Sequence, residues 1–231
     1  MSALLEVRGL HAFYDQGQVL HGVDLEVGAG EIVSLLGRNG AGRSTTLKAL
    51  MGMLRCSGSV RLDGAQLGGL KTFQIARHGM AYVPEERAVF PALTVQQNLL
   101  LGQLRPEPAA LEEVWRLMPQ LAVRRHVAAG LLSGGEQQML SLCRSLMGKP
   151  RLLMVDEPTE GLAPDMARIV AQHLLTLRAQ GLGVLLVEQK LGIALEISDR
   201  VLVMGHGRIV FGGTPAQLHA NPAVRQKWLE V

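Results

Sequence analysis

The fold of this chain is decided by the stretch Ile32-Val-Ser-Leu-Leu-Gly-Arg-Asn-Gly-Ala-Gly-Arg-Ser-Thr45. Its first five residues form an apolar run that predicts a buried strand, and glycines follow at once. After the glycines, Leu47, Leu50, Met51 and Leu54 are spaced i, i+3, i+4 and i+7, which predicts a helix. A glycine-rich loop between a strand and a helix lets backbone amides and the positive helix end converge on an anion.

This loop has the spacing G-x-x-x-x-G-K-[ST], with an arginine in place of the lysine. Its residues are Gly37, Arg38, Asn39, Gly40, Ala41, Gly42, Arg43, Ser44 and Thr45. Arg43 keeps the positive charge of lysine but is longer, planar and forked. Ser44 is the expected hydroxyl ligand of Mg²⁺. The alternative is a glycine-rich turn that merely caps a helix, and the flanking strand and helix favour the phosphate loop.

Composition sets the broad class of the protein. The 231 residues are 48% hydrophobic and 19% charged, which indicates one folded domain, with or without a subdomain, and excludes general disorder. No apolar stretch approaches the ~18 residues that cross a bilayer, and the N-terminus does not resemble a secretory signal. The net charge of +3 is scattered and aromatic residues are few, so we expect no nucleic-acid partner. Cys56 and Cys143 have no metal or disulfide spacing.

Strands and helices alternate along most of the chain. Residues 58–83 indicate short strands and one helix, and buried strands are predicted at Leu152–Val155 and Val184–Val187. Two strands at 200–204 and 208–211 resemble sheet edges, and a helical tail follows them. This alternation predicts an α/β fold with a mostly parallel sheet covered by helices on both faces.

The segment 86–130 has a different character. It contains Pro91, Pro106, Pro108 and Pro119, and its helical patches are Val95–Leu101 and Leu111–Met118. It therefore indicates a small helical subdomain inserted into one domain. The α/β core would then consist of residues 1–85 and 131–231.

A second motif ends an apolar strand in two carboxylates, Asp156 and Glu157. Open parallel sheets bind ligands at the carboxyl ends of their strands. Asp156 would hold Mg²⁺, directly or through water, and Glu157 would polarise an attacking water. The alternative is a solvated acidic turn, and the motif alone does not exclude it.

A third motif, Leu132-Ser-Gly-Gly-Glu-Gln-Gln138, opens a helix predicted to run to about Met147. Ser133 and Glu136 have the spacing of a capping box, which suffices to start a helix. Alternatively, Gly134 and Gly135 leave the amides of the helix N-terminus open to a phosphate. Local chemistry does not decide between the two readings.

Together, in this order, the motifs resemble the ATP-binding subunits of ABC transporters over essentially the whole chain. Gly37–Thr45 resembles Walker A of the P-loop NTPases, Met154–Glu157 the end of Walker B, and Leu132–Gln138 the signature LSGGQ, with Glu136 in place of its glutamine. Tyr14 lies where the family stacks an aromatic ring on adenine. The resemblance implies an ABC-type core with an antiparallel β part beside the parallel sheet and a helical subdomain.

Several positions depart from the usual family pattern. Glu85 stands where a glutamine usually senses the membrane subunit, and Gln189 where a switch histidine usually follows the strand. Glu160-Gly-Leu-Ala163 replaces Ser-x-Leu-Asp. Pro84-Glu-Glu-Arg87 and Val187-Glu-Gln189 resemble the smaller ATPase subunit of branched-chain amino acid importers and its relatives for urea and amides. Arg43 departs even from that subgroup.

The resemblance implies a set of functional residues and partners. Tyr14, the loop 37–45 and Ser133–Glu136 would bind ATP; Ser44, Glu85 and Asp156 would bind Mg²⁺; Glu157 and Gln189 would be catalytic. The family pairs two ATPase subunits, identical or different, with transmembrane permeases and indirectly with a substrate-binding protein. Such a subunit lies peripherally on the cytoplasmic face of the membrane.

Three alternatives remain open at this level. The cargo could be urea or another amide, the chain could be a non-transport ABC ATPase, or it could bind nucleotide as a regulator with weak hydrolysis. Non-transport versions usually need a long coiled-coil insertion or two ATPase domains, and neither fits into 231 residues.

Overall fold

The computed structural model describes residues 3–15, 17–103 and 107–230. Pro106, one of the prolines of the predicted insert, lies outside the described residues. In chain order the strands are β1 (Leu5–Tyr14), β2 (Gly17–Val27), β3 (Ile32–Leu36), β4 (Arg55–Leu62), β5 (Ala65–Gln66), β6 (Met80–Val83), β7 (Leu152–Asp156), β8 (Gly183–Val187), β9 (Arg200–Gly205) and β10 (Arg208–Gly213). The helices are α1 (Arg43–Leu50), α2 (Thr72–Arg77), α3 (Val95–Leu100), α4 (Pro108–Leu117), α5 (Pro119–Val123), α6 (Gly134–Leu146), α7 (Pro164–Ala179), α8 (Leu191–Ile197), α9 (Pro215–His219) and α10 (Pro222–Trp228), with a 3₁₀ turn at Ala129–Leu131.

The central sheet has six strands in the order β10-β9-β3-β8-β7-β6. All its pairs are parallel except β9 with β10. Every residue of β3, β7 and β8 is buried, as expected for parallel strands that helices cover on both faces. The carboxyl ends of these three adjacent strands place the glycine loop, Asp156 and Glu188 at one edge of the sheet.

A second sheet, β2-β1-β4-β5, is antiparallel and packs on the same core. Its first two strands pair from Leu5 opposite Val27 to Tyr14 opposite Gly17. Leu20 of this sheet and Leu47 of α1 belong to one buried cluster. The antiparallel part therefore flanks the glycine loop.

The predicted helical insert contains α3, α4 and α5. Val95, Leu99 and Val114 from these helices are buried in the same cluster as Val155 and Leu186 of the central sheet. The insert thus shares a core with the sheet and α6. Its treatment as a subdomain, with boundaries near 86 and 130, stays a prediction.

One expectation about the sheet is wrong. Residues 200–204 do not form an edge strand, because β9 lies between β3 and β10 and is buried over Val201–Gly205. β10 is the edge strand, and its burial alternates residue by residue. Helix α1 also ends at Leu50, before the last residue of the predicted apolar series, Leu54. Within the described residues, no helix has both the length and the apolar character needed to span a membrane.

Candidate nucleotide site

The glycine loop joins β3 to α1 and leaves the start of that helix open. Gly42 precedes α1 with a φ of 107°, and a Cβ there would lie 2.9 Å from the side chain of Leu20, so this position requires glycine. Among the residues that the structure describes, no side chain caps α1, which leaves its first amides available to a ligand. The amide of Gly207 donates to the carbonyl of Ala41 at 2.9 Å and holds the loop from the other side.

The Arg43 side chain is folded into the protein and is only 5% exposed. Its Nη2 donates to Glu157 Oε1 at 2.8 Å and to Asn39 Oδ1 at 3.2 Å, and Nη1 donates to the carbonyl of Glu188 at 3.1 Å. A guanidinium has five N–H donors and can serve all three acceptors together. This buried ion pair between Arg43 and Glu157 is not predictable from the sequence, because nothing in the spacing shows which way the longer side chain turns.

Asp156 is held by hydroxyls from two elements. Its Oδ1 accepts from Ser44 Oγ at 3.0 Å, and its Oδ2 accepts from Tyr82 Oη at 3.2 Å. Burial raises the pKa of Asp156, and these two hydrogen bonds oppose that rise. Asp156 and Ser44 therefore place two oxygen ligands of the kind that Mg²⁺ prefers beside the loop. Tyr82 was missed, although β6 and β7 pair in register and put it near the end of β7.

Glu157 adopts a left-handed backbone conformation, with a φ of 45°, and its amide donates to the carbonyl of Val187 at 2.8 Å. Its side chain is turned towards Arg43. Burial raises the pKa of Glu157; the positive charge of Arg43 opposes that rise, and the carboxylate of Glu85 adds to it.

One cavity of about 480 Å³ brings many of the predicted residues together, although Ala41 and Asp156 are not among its described lining residues, and that volume lies in the usual range for small-molecule sites. Its lining residues are Tyr14, Val19, Asn39, Gly40, Gly42, Arg43, Ser44, Thr45, Glu85, Glu157 and Gln189. Gly37 and Arg38 line an adjoining cavity that shares Asn39 and Gln189 with the first. Gln189 also donates from Nε2 to Asn39 Oδ1 at 2.6 Å.

The Ser133–Glu136 motif lies elsewhere. None of its four residues is among the described residues that line this cavity. Ser133 Oγ accepts from the Glu136 amide at 3.3 Å, and Glu136 Oε2 accepts from the Ser133 amide at 2.8 Å, which is the predicted capping box. Glu136 also pairs with Arg124 at 3.1 Å. A Cβ on Gly134 would lie 2.6 Å from the guanidinium of Arg87, so the Arg87 side chain lies directly against this helix end.

Glu188 is a buried residue of this region for which the sequence predicted no role. It is 2% exposed and follows β8 directly. Its only signal in the sequence is a carboxylate next to a wholly apolar strand, between Val187 and Gln189.

Comparison with known proteins identifies the family. The family model described as "ABC transporter" matches residues 20–160. The chain is 43% identical to the high-affinity branched-chain amino acid transport ATP-binding protein BraG of Pseudomonas aeruginosa, over 98% of this chain and 99% of that protein. It is 36% identical to the probable branched-chain amino acid transport ATP-binding protein LivF of Archaeoglobus fulgidus, over 93% and 94% of the two chains.

Solved structures confirm the fold. A crystal structure of a nucleotide-free ATP-binding cassette from an ABC transporter superposes with a TM-score of 0.88 at 25% identity, over 99% of this chain and 98% of that one. The expected P-loop NTPase fold with mixed α/β sheets is therefore confirmed. Because the family model covers more than half of the sequence and a relative is 43% identical over nearly all of it, the chain belongs to the ABC transporter family of ATP-binding proteins.

Proposed function

We propose that this chain binds and hydrolyses ATP to power an ABC importer of branched-chain amino acids. One observation carries the enzymatic part: the glycine loop and Glu157 line one cavity at the N-terminus of α1, and Asp156 accepts a hydrogen bond from Ser44 of that loop. The cargo is proposed from the printed functions of the relatives BraG and LivF.

Each part of the cavity has a proposed role. The amides of residues 37–45 and the N-terminus of α1 bind the phosphates, and Tyr14 stacks on adenine. Ser44 and Asp156 hold Mg²⁺, with Glu85 as a third oxygen donor. The described residues contain no group of three or more His, Cys, Asp or Glu side chains that could hold a metal ion. Mg²⁺ in nucleotide sites is usually bound by only one or two carboxylates besides the phosphates and water. The bound ion neutralises charge on the phosphates.

Glu157 is the proposed general base, which accepts a proton from the attacking water. Gln189 cannot titrate near neutral pH, so its proposed role is to orient that water by hydrogen bonding. In the structure, Glu157 is paired with Arg43. We infer that the nucleotide phosphates compete with Glu157 for the guanidinium, and that ATP binding thereby frees the base.

The remaining partners complete the proposal. The Ser133–Glu136 motif of a second subunit, identical or different, would close each ATP site, which agrees with its position outside the cavity of its own chain. The helical insert near 86–130, with Glu85 at its start, would contact transmembrane permease subunits, and a substrate-binding protein would deliver the cargo to them. The chain would then lie on the cytoplasmic face of the cell membrane.

A regulatory nucleotide-binding protein with weak hydrolysis is the second candidate. The buried Arg43–Glu157 pair favours it, because a base held by a cation is unavailable to water. An importer of urea or another amide is a variant of the first candidate, since this subunit contacts ATP and not the cargo.

The test is steady-state ATP hydrolysis by the native chain, by Glu157→Gln and by Arg43→Lys. We expect Glu157→Gln to reduce kcat by about 100-fold or more while ATP binding is kept, because loss of a general base costs about that factor. Arg43→Lys should hydrolyse ATP at least as fast as the native chain. Native activity no higher than that of Glu157→Gln would contradict active hydrolysis and favour the regulator.

The cargo needs a separate experiment. The chain is purified with its membrane partners and reconstituted in vesicles, and ATP-driven uptake of labelled leucine and of urea is compared. Uptake of leucine supports the proposal, and uptake of urea alone supports the variant. Purification without any membrane permease would contradict the transporter role.

A further inference from the structure

The carboxylate of Glu188 is buried and accepts four hydrogen bonds. Oε1 accepts from the amide of Thr159 at 3.2 Å and also from the Thr159 hydroxyl. Oε2 accepts from the amides of Gln189 at 2.7 Å and Lys190 at 2.8 Å. The Glu188 carboxylate therefore links the turn after Glu157, at Thr159, to the backbone of Gln189 and Lys190.

An ion pair does not explain this burial. Among the residues that the structure describes, no lysine or arginine is paired with the Glu188 carboxylate, and the nearby ammonium of Lys190 donates instead to the carbonyl of Thr159 at 2.9 Å. A carboxylate is acceptor-only and offers about four lone-pair sites. Four donors thus replace the water that this charge would otherwise bind.

The backbone of Glu188 connects to the glycine loop as well. Its carbonyl accepts from Arg43 Nη1 at 3.1 Å. The next residue, Gln189, donates to Asn39 of the same loop at 2.6 Å. Residues of the glycine loop, Glu157 and Gln189 all line the cavity of the proposed nucleotide site.

We propose that Glu188 is a positioning residue for hydrolysis, which fixes Glu157 and Gln189 relative to each other without touching the nucleotide. This inference rests on the proposed ATPase function. Small misplacements of a base and a water-orienting group lower the rate of the chemical step more than they weaken substrate binding.

The experiment measures kcat and KM for ATP hydrolysis in three variants. Glu188→Gln replaces one acceptor oxygen by a donor, so the amide of Thr159 or those of Gln189 and Lys190 lose their partner. Thr159→Val removes one hydroxyl donor and Thr159→Ser keeps it. The matched control is Glu31→Gln, the same chemical change at a carboxylate that accepts from the Gly28 amide at 2.5 Å, near the opposite end of β3.

We expect Glu188→Gln to lower kcat about tenfold and to leave KM within about twofold of the native value. Thr159→Val should lower kcat about threefold and Thr159→Ser should restore it. Glu31→Gln should leave kcat unchanged. If Glu188→Gln does not fold, the Thr159 pair decides the question.

The inference is overturned if kcat stays within twofold of native in both Glu188→Gln and Thr159→Val, if Glu31→Gln loses as much activity, or if KM rises while kcat is kept. These outcomes require a native chain that hydrolyses ATP. A native chain without hydrolysis would contradict the proposed function itself, so the two failures are distinguishable.

Discussion

Around the glycine loop, side chains from several segments bond to one another, whereas the Ser133–Glu136 motif bonds within itself and to Arg124. The single side chain of Arg43 donates hydrogen bonds to Asn39, Glu157 and Glu188. Glu136, by contrast, is tied to the Ser133 amide and to a half-exposed arginine. Both regions begin a helix, and both contain glycines.

This difference indicates that the polar groups of the two regions are satisfied in different ways. In the loop region, the charges that would meet a nucleotide already neutralise each other in the free chain, so binding has to exchange partners. In the second region, the capping box and the pair of Glu136 with Arg124 satisfy the helix end through nearby residues. This contrast supports the proposal that the loop region binds the nucleotide of its own chain and that the Ser133–Glu136 motif serves a second subunit.

The largest expected effect in this comparison comes from removing the cation Arg43 from the glycine-loop region. Arg43→Met should lower the free energy of unfolding by about 3 kcal/mol near pH 8, because it leaves the buried carboxylate of Glu157, 8% exposed, without its partner. Urea unfolding of the native chain and the variant measures the loss. Arg43→Lys is the control and should lose less, since it keeps a positive charge beside Glu157.

The pH dependence of that loss tests its electrostatic origin. Burial already raises the pKa of Glu157, and Arg43 opposes that rise, so Arg43→Met should raise the pKa further. A folded state with a raised carboxyl pKa binds a proton that the unfolded chain has released, so stability is kept in acid and lost as pH rises through the folded pKa. The unfolding loss should therefore shrink towards about pH 5. Equal losses at both pH values would show that packing, and not charge, explains it.

The next largest expected effect, that of Ser133→Ala, distinguishes a role of Ser133 in helix capping from a role in phosphate binding. Ser133→Ala should lower the free energy of unfolding by about 1 kcal/mol, because it removes an N-cap. Thr94→Ala is the matched control, since Thr94 caps α3 in the same kind of box with Gln97. Both variants should lose similar stability, and only Ser133→Ala should also lose about tenfold in ATP hydrolysis. Equal hydrolysis in the two variants would mean that Ser133 serves only as a cap.

Much of the fold follows from the local sequence pattern. The wholly apolar runs of β3, β7 and β8 and the helix start at Ser133 were predictable because burial and capping act over a few residues. The position of β9 was not, because its place beside β3 depends on a parallel pairing between Val33 and Arg200, far apart in the chain.

The residues of the site likewise differ in whether the sequence could predict them. The loop and the two carboxylates at the end of β7, Asp156 and Glu157, could be found from spacing. The contacts of Arg43, Tyr82 and Glu188 could not, because each depends on the direction of a side chain across neighbouring strands.

The smallest expected effect concerns Glu136, which stands where the family has glutamine. Glu136→Gln keeps the capping box, because glutamine can also reach back to the Ser133 amide. It removes an ion pair with Arg124, whose side chain is 47% exposed, so we expect a loss of no more than about 0.5 kcal/mol in unfolding free energy.

Glu136→Gln also removes a negative charge from the helix end proposed to meet the phosphates of a second subunit. KM for ATP should then fall about twofold at low salt, and the gain should vanish at high salt, where exposed charges are screened. Gln97→Glu makes the reverse change in the box of α3 and should leave KM unchanged. If Glu136→Gln leaves KM unaltered at low salt, the charge of Glu136 does not face bound phosphate, and the pairing of the two regions across subunits loses its support.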